Sequence, residues 1–212
     1  MQYTHYLRVF KKGTIAKKIR HRLYKTIVGS NGNALEFGVG HGYFKDYCLQ
    51  NGMNYTGVDF CNDLSDSNTI IAAIPKDLNL VPYGYDLIFA EHFIEHMDGY
   101  DSVMEFLEGC RDRLTKDGRL VLLYPNMDKH FWHDPTHQYP TSKTRIEKCL
   151  IDAGFEVQES DDYAHCLIGA LDTLPIRILG WFMPKNKRYS LHFCIHSYSV
   201  GVLPNDQEHW QV

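Results

Sequence analysis

The segment "ALEFGVGHGYF" (Ala34 to Phe44) constrains this chain more than any other stretch of it. A short apolar run is followed by three glycines in five residues, Gly38, Gly40 and Gly42, and then by a helix-compatible stretch from Tyr43 to Asn51 that Gly52 ends. Glycine tolerates dihedrals closed to other residues and lets a ligand approach the main chain without meeting a Cβ. A bare loop at the end of a strand therefore reads as a place where something is held by backbone.

The same alternation of strand and helix continues downstream. "NYTGVDF" reads as a second strand, "TIIAAI" as a strand or a short helix, and "YDLIFAEH" as a strand. "DGYDSVMEFLEGCRDRLTKDG" has helical periodicity and a stop signal at Asp117-Gly118, followed by the strand "RLVLLYPN". "SKTRIEKCLIDAGF" is a helix ended by Gly154, with Thr141 or Ser142 as its cap, and "FEVQES" a further strand. Strands alternating with helices pair in parallel through right-handed crossovers, giving an open α/β sheet covered on both faces. Such sheets bind ligands outside the carboxyl ends of their strands, near the switch in strand order. The glycine loop sits at such an end. The tail beyond Cys166 is less regular, with "HFCIHSYSVGVL" as its strand candidate and Trp181, Phe182, Lys185, Lys187, Arg188 and Tyr189 as candidates for lining an acceptor site or covering the sheet.

At 212 residues the chain fits one domain with a sizeable core. Its formal net charge of −4 gives no global basic field, so nucleic acid is not an expected partner. Lys and Arg cluster early instead: Arg8, Lys11, Lys12, Lys17, Lys18, Arg20, Arg22 and Lys25. Between them Ile15, Ile19, Leu23 and Ile27 recur every four positions, which predicts a helix with one buried stripe. Residues 1–28 thus read as a basic helical segment, either a solvated face or a lid that attracts an anionic substrate, and 29–212 as the main domain. The six cysteines form no Cys-x-x-Cys pair, there is no apolar leader and no run of apolar residues long enough for a membrane span. These features lead us to expect reduced thiols and a cytoplasmic location.

Two ligands compete for the glycine loop. A dinucleotide-binding G-x-G-x-x-G, counted from Gly38, requires a small residue where Tyr43 stands, and Glu36 would repel a pyrophosphate. A carboxylate at a strand end favours instead a ligand carrying ammonium or sulfonium charge.

In Glu36, Gly38, Gly40 and Gly42 the segment resembles the first motif of the class I S-adenosylmethionine-dependent methyltransferases, an acidic residue followed by G-x-G-x-G. The resemblance runs from about residue 30 to 160, and further blocks follow in the family's order. It implies a single Rossmann-like seven-stranded methyltransferase sheet, mostly parallel with one antiparallel strand, and S-adenosyl-L-methionine as cofactor with S-adenosyl-L-homocysteine as product. Glu36 is then expected near the methionyl amine and the glycine backbone under the methionine part. Asp59, with Phe60 beside it, is expected at the ribose, because two carboxylate oxygens suit a vicinal diol. "KDLNLVPYGYDLIFAEHFIEHM" resembles the next block and implies Asp77 and Leu78 at the adenine, with Glu91, His92 and Phe93 facing the transfer cleft. Glu95 and His96 are either part of that site or structural, capping or orienting the following helix.

The loop "DKHFWHDPTHQYPTS" holds His130, His133, Asp134 and His137. Pro135 works against one helix presenting His133 and His137 together, and no zincin-type spacing is present, so no metal is expected. A D-x-T-H element followed by proline and a Thr/Ser-initiated helix resembles a subgroup of bacterial methyltransferases tied to sugars and surface polysaccharides. The resemblance marks Asp134, Thr136 and His137, and we take His133, Thr136, Tyr139 and His92 as acceptor-binding candidates. Histidine can accept a proton near neutral pH, with a nearby carboxylate to orient it. His137 is the first expected general base, His92 the second, with Asp134 as orienting acid; otherwise Asp134 and His137 pin the loop.

The expected activity is methyl transfer to a small molecule, with oxygen favoured and the acceptor a sugar or a phosphorylated or nucleotide-linked precursor of surface polysaccharide. Its rivals are N-methylation of a small metabolite, a nicotinamide-dependent oxidoreductase, and a cofactor-binding regulator without catalysis.

Overall fold

The computed structural model describes residues 14–29, 32–64, 66–127, 131–166 and 193–204. In chain order the elements are α1 (Thr14–Ile27), β1 (Asn33–Phe37), α2 (Tyr43–Gln50), β2 (Asn54–Asp59), β3 (Thr69–Ile71), β4 (Tyr85–Glu91), α3 (Gly99–Arg113), β5 (Leu114–Pro125), α4 (Lys143–Asp152), β6 (Glu156–Cys166) and β7 (Phe193–Val202). The strands form one seven-stranded sheet in the order β3-β2-β1-β4-β5-β7-β6. Pairing is parallel from β3 through β5, while β7 runs antiparallel to both β5 and β6. This is the expected Rossmann-like architecture, and the antiparallel strand falls on the "HFCIHSYSVGVL" segment.

The central strands are continuous apolar runs because both faces are covered. Successive side chains point to opposite sides, so alternate residues of one strand join different cores. Leu35, Phe37, Ile88, Ala90, Leu120 and Leu122 pack with Val103, Phe106 and Leu107 of α3 and Ile146 and Leu150 of α4. Ala34, Leu87, Phe89, Val121 and Leu123 pack with Tyr24 and Ile27 of α1 and Phe44 and Tyr47 of α2. Phe44 stacks on Phe89 at 4.0 Å between centroids, which fixes α2 against the middle of the sheet.

"TIIAAI" resolves as the short strand β3. The helix expected to run to Asp117-Gly118 stops at Arg113, where Leu114 turns extended and pairs with Tyr85. The buried Arg113 guanidinium ends it by donating to the carbonyls of Gly109 (2.9 Å), Val81 (3.1 Å) and Leu78. Gly118 serves the sheet, since a Cβ there would sit 2.8 Å from the Tyr85 carbonyl oxygen. Ser142 caps α4, accepting from the Arg145 amide, while the Thr141 hydroxyl donates to the Pro125 carbonyl. On α1 the side chains of Ile15 and Ile19 lie outside the described residues, as do residues 1–13, His130 and the aromatic and basic tail from Trp181 to Tyr189.

Candidate active site

Strand order reverses between β1 and β4, and both end at the same edge of the sheet. The loop leaving β1 there has positive φ at Gly38 (80°), Gly40 (49°) and Gly42 (68°), a region that glycine enters at little cost and residues with a side chain rarely adopt. Gly38 is also crowded: a Cβ would stand 3.0 Å from the Phe93 ring. Its amide donates to the Val58 carbonyl at 2.9 Å, tying the loop to β2.

Three carboxylates surround this loop. Glu36 is 3% exposed and accepts a hydrogen bond from the Tyr55 hydroxyl on β2. Burial pushes its pKa well up; the Tyr55 bond opposes that, and the Glu91 and Asp59 charges add to it. Asp59, also 3% exposed, accepts from the Cys61 amide at 3.0 Å through Oδ1. Burial raises its pKa, and the amides of Cys61, Gly40, Val39 and Phe60 offset part of the rise. Its Oδ2 is buried with no hydrogen-bond partner. Glu91, at the end of β4, accepts from Arg20 Nε at 2.8 Å and from the Tyr24 hydroxyl, both on α1. Burial works to raise the Glu91 pKa, but Arg20, His92 and Tyr24 outweigh it and hold the group below its ordinary value.

Phe60 follows Asp59 in sequence and is 61% exposed, a large apolar side chain left open to solvent. Asp77 Oδ2 accepts from the Ala73 amide at 2.9 Å. Leu78 turns inward: its side chain is buried against α3, where a Cβ on Gly109 would lie 2.5 Å from Leu78 Cδ1.

The turn after β4 and the loop after β5 are stitched together. His92 holds φ 53°, unusual for a residue with a side chain, and its amide donates to the Leu123 carbonyl at 2.9 Å. Its Nδ1 lies 3.1 Å from Glu95 Oε1. Burial lowers the His92 pKa, but the Glu95 hydrogen bond and the Glu95 and Glu91 charges reverse this and raise it. Glu95 is fully buried, and its carbonyl accepts from the Gln138 and Tyr139 amides at 2.8 and 3.0 Å. His96 Nδ1 lies 3.1 Å from the Thr136 carbonyl oxygen, and His137 Nδ1 lies 2.7 Å from that of Phe131. The two rings are 5.1 Å apart.

This geometry changes several expectations. His137 is oriented by a backbone carbonyl rather than by Asp134, whose Oδ2 is 3.9 Å from Nε2, beyond hydrogen-bond range. Asp134 Oδ1 instead accepts from the Thr136 amide (2.9 Å) and hydroxyl (2.6 Å), so both residues shape the loop. Burial works to raise the Asp134 pKa, but these bonds and the nearby His137 and His96 lower it. Tyr139 is 5% exposed with its hydroxyl 3.3 Å from Cys149 Sγ, inside the core rather than at an acceptor. His133 is exposed in the short turn Phe131–His133. Glu95 and His96 do not cap α3: the Glu95 side chain turns to His92, while the Glu95 carbonyl and His96 Nδ1 bond to the later loop. Tyr24 and Tyr55 were not singled out from sequence, and Arg20 only as one of the early basic residues. Tyr55 had a signal in Tyr55-Thr-Gly57-Val-Asp59, where one strand face carries a phenol, a bare position and an acid; a Cβ on Gly57 would be 2.7 Å from the phenol oxygen.

The family described as "Methyltransferase domain" matches residues 3–160. No curated protein sequence matches significantly. Among solved structures, a SAM-dependent methyltransferase from Archaeoglobus fulgidus is 22% identical with a TM-score of 0.69, covering 95% of this chain and 99% of its own. The 1,6-didemethyltoxoflavin-N1-methyltransferase of Burkholderia thailandensis, with its substrate and S-adenosylhomocysteine bound, is 14% identical at TM-score 0.59, over 88% of this chain and 78% of its own. Mitomycin 7-O-methyltransferase MmcR is 13% identical at TM-score 0.58, over 90% of this chain and 55% of its own. With the family match spanning most of its length, the chain belongs to the methyltransferase domain family, as an S-adenosylmethionine-dependent methyltransferase.

Proposed function

We propose that this methyltransferase transfers a methyl group to a hydroxyl of a small molecule, a sugar or a phosphorylated or nucleotide-linked precursor of surface polysaccharide. The observation that supports the cofactor site best is the orphaned, buried Oδ2 of Asp59 beside a loop whose positive-φ positions are all glycine. A ribose diol would supply the missing donors, and Phe60 would lie on the adenine, with Asp77 and the edge of Leu78 beyond it. Glu36 would face the methionyl ammonium, whose charge would hold the carboxylate ionised against the upward pull of burial. The amides around Gly38, Gly40 and Gly42 would carry the methionine part. Glu91 belongs to the same wall, already bound by α1, so α1 acts as a cover over the cleft.

When bound, S-adenosylmethionine supplies a methyl activated by its sulfonium. The chain's part is to align the acceptor, exclude water and remove a proton. We place His92 ahead of His137 as the proton acceptor. His92 stands directly at the carboxyl end of β4, and Glu95 holds Nδ1, so Nε2 is the nitrogen through which the ring would take the proton. His137 is tied down at Nδ1 and turned towards His96. An N-methylation reading would leave His92 with less to do, because an amine lone pair needs less help.

The basic face of α1 gives less support to an anionic acceptor than its composition promised. Arg20 and Lys17 are paired with Glu91 and Asp46. An open depression of about 450 Å³ lined by Lys17, Lys18, His21 and Arg22 also includes Gln50, at the far end of α2 from the glycine loop. Incubating the full chain with S-adenosylmethionine and a panel of sugar phosphates and nucleotide sugars, with S-adenosylhomocysteine release as readout, tests the proposal. Turnover of a hydroxyl acceptor that His92→Asn slows is expected; turnover confined to amines would overturn it.

A further inference from the structure

The turn after β4 and the loop after β5 bring together three side chains, of which the transfer chemistry uses only Glu95, through the Oε1 that faces His92. A carboxylate oxygen of Glu95 and one ring nitrogen each of His96 and His137 all lie within 4.8 Å of one another. We propose that Glu95, His96 and His137 form a binding site for a divalent first-row cation of the Zn²⁺ type.

Four observations carry this. First, the donor set is two imidazoles and one carboxylate, the composition of three-ligand zinc sites that keep a position open for water or substrate. Second, Glu95 is fully buried, and its Oε2 has no hydrogen-bond partner although Oε1 faces His92. A buried carboxylate oxygen left bare is costly, and a cation removes that cost. Third, both histidines have Nδ1 at a backbone carbonyl, His96 at Thr136 and His137 at Phe131. A carbonyl only accepts, so each Nδ1 carries the proton and each Nε2 presents its lone pair. This is the outer arrangement that metal-ligating histidines use to fix tautomer and ring direction. Fourth, Asp134 Oδ2 stands 3.9 Å from His137 Nε2, adding negative charge at the rim. Tetrahedral ligands at about 2.1 Å from an ion are about 3.4 Å apart, so small side-chain rotations would close the cluster.

Pro135 forbids one helix from carrying both His133 and His137, which is why the loop alone gives no metal-binding pattern. The fold solves this differently, supplying Glu95 and His96 from one loop and His137 from another, about 40 residues on. The site's claim stands apart from the choice of methyl acceptor.

The test is metal binding by the purified full chain after dialysis against a chelator. Titration with Zn²⁺ alone should show one equivalent per chain and raise Tm by about 5–10 °C at a hundredfold excess over Kd. Co²⁺ alone should give the visible absorption of a low-coordinate site. His96→Ala and His137→Asn should each weaken Zn²⁺ affinity by more than about 100-fold, while His96→Ala keeps S-adenosylhomocysteine affinity in calorimetry. Absence of Zn²⁺ uptake by the unaltered chain, or uptake undiminished in both variants, overturns the site. The unaltered chain's own titration decides the matter if a variant misfolds. Because cofactor affinity is read in the same samples, loss of the metal site and failure of the methyltransferase reading give different results.

Discussion

Replacing Arg20 by Met should destabilise the fold through a single stranded carboxylate. Arg20 Nε and Glu91 Oε1 are 2.8 Å apart, with side chains 19% and 13% exposed. At an effective dielectric constant of about 20, that separation is worth about 6 kcal/mol of attraction before desolvation is counted. Removing one partner of a fully buried pair costs about 3–5 kcal/mol, and the residual exposure lowers this to about 2–4 kcal/mol. The Arg20 contact over the Tyr43 ring, 5.0 Å to its centroid, falls within that range. Methionine keeps the packing of the stem. For a chain of this length the loss corresponds to about 5–12 °C in Tm.

The pH dependence gives the sharper test. Glu91 has a depressed pKa in the folded chain, so its contribution is present above the unfolded value of about 4.3 and is lost as pH falls through the folded value. Without Arg20, burial dominates and raises that pKa, so Glu91 then opposes folding at neutral pH and the opposition fades on acidification. The difference between the two proteins should therefore be largest near pH 7 and shrink towards pH 4. Urea unfolding followed by circular dichroism at several pH values measures it, and Arg20→Met combined with Glu91→Gln should recover most of the loss. A difference below about 0.5 kcal/mol at pH 7, or one independent of pH, would refute the reasoning.

Glu36→Gln should stabilise the ligand-free protein by about 1–2 kcal/mol at neutral pH, because burial raises the Glu36 pKa and costs stability as pH climbs above about 4.3. The same change should weaken S-adenosylhomocysteine binding, read by calorimetry beside urea unfolding; unchanged affinity would remove Glu36 from the amine. Asp59→Asn should cost about 10–100-fold in cofactor affinity, since hydrogen bonds to a charged acceptor are worth about 1.5–3 kcal/mol. His92→Asn, which tolerates the left-handed backbone, should lower kcat by about 100-fold or more with cofactor affinity kept, and in the parent enzyme the acidic limb of the pH–rate profile should lie above about 6.5. If exposed Lys18, Arg22 and Lys25 attract an anionic acceptor, KM should rise with ionic strength; a flat KM removes that role.

The order of elements was written in local pattern. Apolar strands ending at Phe37, Asp59 and Glu91, the glycine loop behind the first, and the spacing of Glu36 and Asp59 all lie within single elements or their immediate ends. Period and turn chemistry report such features because they depend on neighbours in sequence. The helix end at Arg113 was missed because it depends on the carbonyls of Leu78 and Val81, more than thirty residues earlier.

What side chains do at the site was a different matter. Glu91 looks from sequence like an open acid after a strand, and only packing brings Arg20 and Tyr24 onto it. Tyr139 and His137 stand two residues apart in one polar loop, yet one is core and the other faces His96. A local pattern specifies the conformation a segment prefers and the face it buries. Which distant groups then share a buried space depends on strand register and loop path, and at this sheet edge those decide where each charge and each lone pair ends up.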